Sequence, residues 1–76
     1  MSAKVNSPIS DLEYDLLTVL HNLGEALKAY ETYIQDAESI GSGPCVELFK
    51  KLQDADVQHA QEVRHHLQEV MLKGKM

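Results

Sequence analysis

Length, composition and charge limit what this chain can be. Its 76 residues form one domain at most, and so small a domain buries too little surface to be stable without disulfides, metal or association. Seven basic against twelve acidic residues give a net charge of -5, which disfavours nucleic acid and anionic membrane surfaces as partners.

The cysteine content and the hydropathy pattern point to a compartment. Cys45 is the only cysteine, so an intramolecular disulfide is excluded and a reducing environment is favoured. The first residues lack an apolar signal segment, and no stretch reaches the roughly 20 apolar residues needed to cross a bilayer. We therefore expect a cytoplasmic protein that depends on a partner.

The first predicted element is a helix over residues 10–40, which follows a flexible arm at residues 1–8. Its apolar residues recur at three- and four-residue intervals, the period of a helix and not of a strand. They are Leu12, Leu16, Leu17, Leu20, Leu23, Leu27, Tyr30 and Ile34. Ser10 and Glu13 have the spacing of a capping box, which indicates where the helix begins.

A turn at residues 41–43 separates this helix from a second one over residues 44–72. Gly41 suits the left-handed position after a helix, and Pro44 suits the first turn of the next helix. The second apolar stripe comprises Val46, Phe49, Leu52, Ala60, Val63, Leu67, Val70 and Met71. Residues 73–76 are expected to be a frayed, basic end.

These elements predict an all-α fold, an antiparallel two-helix hairpin over residues 9–72. A hairpin covers only one side of each apolar stripe, and the usual solution is to dock two hairpins into a four-helix bundle. We expect a homodimer or a larger homo-oligomer. A helical partner of a different sequence is the alternative.

Polar residues interrupt the second stripe. On a helical wheel Asp56 lies near the middle of the stripe, with Gln53 one turn before it and His59 one turn after it. A buried carboxylate without a partner costs several kcal/mol. Asp56 must therefore meet a hydrogen-bond donor such as Tyr30, a cation, a metal or its own proton. The sequence leaves open whether this polar layer is structural or binds metal.

The residues around this layer resemble a known family. Asp56-Val57-Gln58-His59-Ala60 is similar to the Glu-x-x-His-Ala element of ferritin-like and rubrerythrin-like proteins. Gly24-Glu25-Ala26 with Tyr30 resembles part of their first helix. A lone hairpin is similar to the encapsulated-ferritin type, in which two hairpins complete the bundle and its di-iron site.

The resemblance implies iron as a candidate cofactor, with Asp56 and His59 as ligands. On the wheel Glu31 is better aimed than Glu25 to serve as the carboxylate from the first helix. Glu62 and His65 repeat the Glu-x-x-His spacing, but His65 is expected on the outer face. We expect a structural or interaction module without assigned catalytic residues. An iron-binding bundle with a ferroxidase-like or metal-storage role is the alternative.

Overall fold

The computed structural model describes residues 8–76, which form two α-helices packed against each other as a hairpin. Helix α1 runs over Asp11–Ser39 and helix α2 over Gly43–Lys73, and residues 8–76 contain no strand. Each helix boundary lies one residue from its predicted position. Of the predicted flexible arm, residues 1–7 lie outside the described residues.

Helix α1 begins at a side-chain cap. The Glu13 backbone N–H donates to the Ser10 hydroxyl oxygen at 3.2 Å, which satisfies one of the free donors of the first turn. Asp11 and Glu13 place negative charge in that turn, where it interacts favourably with the helix dipole. The predicted capping role of Ser10 is therefore confirmed.

The turn between the helices has the hydrogen bonds of a Schellman motif. The Ser42 N–H donates to the Ala37 carbonyl at 2.9 Å, and the Gly41 N–H donates to the Glu38 carbonyl at 3.0 Å. Gly41 has a φ of 73°, a conformation that is costly for residues with a Cβ atom. Pro44 lies in the first turn of α2, as predicted.

The two helices meet along a regular seam. Its side chains are buried or half-buried and alternate at three- and four-residue intervals, which is the seven-residue repeat of a coiled coil. The seam residues are Glu13, Leu16, Leu20, Leu23, Leu27, Tyr30, Ile34 and Ala37 of α1, and Val46, Phe49, Gln53, Asp56, Ala60, Val63, Leu67 and Val70 of α2. Leu12, Leu17, Leu52 and Met71, which the predicted stripes included, are exposed beside the seam.

The interior of the hairpin is thin. Only Ala37, Leu67 and Val70 are buried apolar residues in the described range. The exposed surface is 5872 Å², whereas a compact monomer of this mass exposes about 4,700 Å². The smallest extent of the Cα trace is 12 Å, so the hairpin is a single layer of helices. No helix in residues 8–76 is both long and apolar enough to cross a membrane.

Candidate functional site

Asp56 is at the centre of a polar layer within the seam. It occupies a position that packing would otherwise give to an apolar residue, and 21% of its side chain is exposed. Tyr30 of α1 lies close enough to Asp56 for this carboxylate to contribute to raising the pKa of the Tyr30 hydroxyl. The His59 Nδ1 lies 3.3 Å from Asp56 Oδ1 on the next turn of α2. Tyr30, Asp56 and His59 therefore form a small network that crosses from one helix to the other.

Tyr30 reaches this network because helical side chains lean toward the N-terminus of their own helix. Its ring also lies edge-to-face against Tyr33, with 5.8 Å between the ring centroids. Tyr33 in turn packs on Phe49 at 5.7 Å. The three rings therefore form a series of contacts that joins α1 to α2 between the polar layer and the turn.

The surroundings of Tyr30 raise its pKa above the ordinary value of 10.0. The largest cause is its partial burial, which disfavours the charged phenolate. The negative charge and the hydrogen-bonding capacity of Asp56 and the neighbouring Tyr33 act in the same direction. The Tyr30 hydroxyl therefore stays protonated at neutral and mildly alkaline pH.

The other predicted members of the site stand apart from this network. Gln53 is half-buried in the seam, but its amide makes no hydrogen bond within residues 8–76. Glu31 is exposed and makes no side-chain hydrogen bond or ion pair in the described part of the chain. The structure thus brings together Tyr30, Asp56 and His59, but not Gln53 or Glu31.

The donors of one chain do not fit a di-iron site. Across residues 8–76 there is no group of three or more His, Cys, Asp or Glu side chains that could hold a metal ion. Asp56 already lies beside Tyr30 and faces the His59 ring. Asp56, His59 and Glu31 remain predicted ligands only for an assembly in which a second chain contributes donors.

The remaining histidines lie on the outside of α2. His65 and His66 are exposed, with their ring centroids 6.2 Å apart. The His66 Nδ1 lies 2.9 Å from the backbone carbonyl oxygen of Glu62. The exposure of His65 agrees with its expected place on the outer face.

The two long sides of the hairpin differ in composition, which the sequence analysis missed. Seam-flanking positions recur every seven residues, and antiparallel pairing places one set from each helix on the same side. From Leu12 to Ile40 in α1 and from Cys45 to His66 in α2 the first set contains no Asp, Glu, Lys or Arg, and we call it the uncharged face. Lys73, at the end of α2, follows this set in the repeat. It comprises Leu12, Val19, Ala26, Tyr33, Ile40, Cys45, Leu52, His59 and His66. The opposite set, the mixed face, comprises Leu17, Gly24, Glu31, Glu38, Lys50, Val57, Arg64 and Met71.

Two grooves run along the uncharged face. The larger has a volume of about 450 Å³ and is lined by Leu16, Val19, Leu23, His59, Glu62, Val63 and His66. The smaller, of about 240 Å³, lies beside the turn and is lined by Tyr33, Asp36, Ala37, Ile40, Ser42, Cys45 and Phe49. His59 belongs both to the larger groove and to the polar layer, so the layer opens onto the uncharged face.

Comparison with models of known protein families, with curated proteins and with solved structures finds no match. Function is therefore inferred from the residues and their geometry.

Proposed function

We propose that the chain is a helical interaction module. Two copies pair into a four-helix, ferritin-like bundle, and the polar layer fixes how they pair. The observation that carries this proposal is the network in which Asp56 lies beside Tyr30 of α1 and faces the His59 ring. Asp56 therefore has polar neighbours on both helices, as expected of a structural layer.

The thin interior supports pairing as the way in which the fold is completed. Stable domains bury apolar surface between at least two layers of secondary structure, whereas this hairpin is one layer 12 Å deep. Large apolar side chains such as Tyr33 and Leu52 remain 45% and 40% exposed. A second hairpin would supply the missing layer.

The position of Asp56 supports a role in specificity. Polar residues in coiled-coil seams lower stability, yet they favour one register and one oligomeric state over the alternatives. A mispaired bundle would leave the Asp56 carboxylate buried without its donors, at a cost of several kcal/mol. The free thiol of Cys45 suits a reducing, cytoplasmic setting for this assembly.

Iron binding is the second candidate, and the orientation of His59 favours it. With Nδ1 turned to the Asp56 carboxylate, the Nε2 atom is left free. Metal-bound histidines commonly have this carboxylate-supported arrangement. The ferritin-like resemblance makes iron the candidate metal, with a ferroxidase-like or storage role, and the missing carboxylates would come from the second chain.

The substitutions Asp56→Leu and His59→Leu separate the two functions. If the layer is structural, Asp56→Leu should leave the free energy of unfolding unchanged or raise it by about 1–4 kcal/mol, as when other buried polar groups are replaced by apolar ones. The oligomer should then become less uniform in sedimentation velocity, and ferrous ion should not change the melting temperature of any of the three proteins.

The iron-binding function predicts a different pattern under anaerobic conditions. Ferrous ion would raise the melting temperature of the wild type in proportion to ln(1 + [L]/Kd). Both Leu variants would lose this response. That result would overturn the structural assignment of the layer and make Asp56 and His59 metal ligands.

A further inference from the structure

We infer that the uncharged face is the surface through which two copies of this chain pair, while the mixed face stays in contact with solvent. This inference rests on the proposed self-pairing and names the surface that performs it.

The seven-residue repeat of α1 supports this assignment of the face. A two-stranded coiled coil needs apolar residues only at the two seam positions of each seven-residue repeat, whereas helices inside larger bundles need a third apolar position beside them. The flank of α1 on the uncharged face supplies this third position throughout, as Leu12, Val19, Ala26, Tyr33 and Ile40. The flank of α1 on the mixed face contains Leu17 but also Gly24, Glu31 and Glu38.

The area of this side is also large enough for a stable dimer. The hairpin measures 53 by 21 Å in its two longer dimensions. Pairing over this whole side would bury on the order of 2,000 Å² in total, within the range of stable protein interfaces.

The scarcity of charge on the uncharged face favours a second copy over a charged partner. In a twofold dimer the same patch meets itself, so any fixed charge near the axis faces its own kind. The seam-flanking positions of the uncharged face meet this requirement over most of its length, because its charged residues lie at its borders, as Asp36 and Glu62, and at its end, as Lys73. Two chains that each carry a charge of -5 can approach most closely through such a surface.

The location of the polar layer fits the same interface. Tyr30 and Asp56 lie near the middle of the hairpin, and His59, whose side chain is 60% exposed, carries the layer onto the uncharged face. The layer would therefore be covered by the second copy. This position explains how a network formed within one chain can influence how two chains pair.

Matched glutamate substitutions test the assignment of the face. Leu52 and Val57 are 40% and 41% exposed on opposite sides of α2, and Val19 and Leu17 are 46% and 38% exposed on opposite sides of α1. We expect Leu52→Glu and Val19→Glu to weaken dimerisation at least tenfold in sedimentation equilibrium. Val57→Glu and Leu17→Glu should change the dissociation constant less than threefold.

The outcomes of these substitutions separate the choice of face from the self-pairing itself. Loss of helical circular dichroism in the uncharged-face pair alone also supports the assignment, because equally exposed positions on an uncovered surface would tolerate glutamate equally. Equal weakening by both pairs, or greater weakening by the mixed-face pair, would overturn it. A wild type that stays monomeric would instead contradict the proposed self-pairing.

Salt dependence of the wild type gives a second test that needs no variant. Acidic residues border the uncharged face at Asp15, Asp36, Glu62 and Glu69, so their repulsion between copies should be screened by salt. We expect the dimer to tighten severalfold between 50 and 500 mM NaCl. Pairing through the mixed face would bring Glu31 and Glu38 toward Lys50 and Arg64, and salt would then weaken the dimer.

Discussion

The two long sides of the hairpin are built on the same backbone and expose apolar side chains to a similar degree, yet they differ in charge. On α2 the mixed face alternates Lys50 and Arg64 with Val57 and Met71. The uncharged face has Leu52 and His59 at the equivalent flank. Partial exposure of an apolar residue is ordinary, so exposure alone does not mark a docking surface.

The scarcity of fixed charge at the seam-flanking positions of one side is the informative difference. A solvated helix face carries charged residues that keep it soluble and prevent association. The mixed face fits that description and the uncharged face does not. Position in the seven-residue repeat therefore distinguishes the two sides of the hairpin, whereas the fractional exposure of their apolar residues does not.

The largest expected effect on stability comes from truncating a side chain in the seam between the helices. Leu67 is 8% exposed in the seam, whereas Leu72 is 75% exposed outside it. Leu67→Ala should lower the free energy of unfolding by about 2–5 kcal/mol through lost contacts and a residual cavity. Leu72→Ala should lie within about 0.5 kcal/mol of the wild type. Urea denaturation measures both, and equal losses would show that the seam is misassigned.

A smaller effect compares the two faces with one residue type. Val19 on the uncharged face and Val57 on the mixed face are 46% and 41% exposed in the single chain. If only the uncharged face is covered, Val19→Ala should lower the free energy of unfolding by about 1 kcal/mol more than Val57→Ala. The difference reflects the burial of the methyl groups that the Val19 substitution removes. The difference should shrink as protein concentration falls in urea titrations. Equal costs at all concentrations would argue against a covered face.

The smallest effect concerns the polar layer and alkaline pH. Because the pKa of Tyr30 is raised in the folded chain, its contribution to stability is complete below the ordinary tyrosine value and is lost as pH rises through the raised one. The wild type should therefore lose stability above about pH 10 more steeply than Tyr30→Phe. Absorbance at 295 nm should show that this variant lacks a late-titrating tyrosine. Parallel stability curves would mean that Tyr30 titrates normally.

The helix boundaries could be predicted because their signals are local. Ser10 caps α1, Gly41 adopts the left-handed conformation at its end, and Pro44 lies in the first turn of α2. Each of these roles follows from the chemistry of one residue and its close neighbours. Asp56 could likewise be placed in the seam from helical spacing alone.

The partners of Asp56 and the uncharged face depend on how the helices pair. On the wheel Glu31 is better aimed than Glu25 to be the first-helix carboxylate, yet it follows the seam residue Tyr30 and lies on the mixed face. Tyr30 meets Asp56 because its side chain leans back along α1. A wheel for one helix cannot show which flanks share a side, because that requires the antiparallel pairing of two helices. The spacing of seven residues along each flank was the available signal.

The central claim is that the hairpin completes its fold by pairing with itself. Sedimentation equilibrium of the wild type at low micromolar concentration, in buffer without added metal, tests it most directly. We predict twice the chain mass of 8.5 kDa, or a larger multiple. A folded, cooperatively melting species of 8.5 kDa at that concentration would contradict the account.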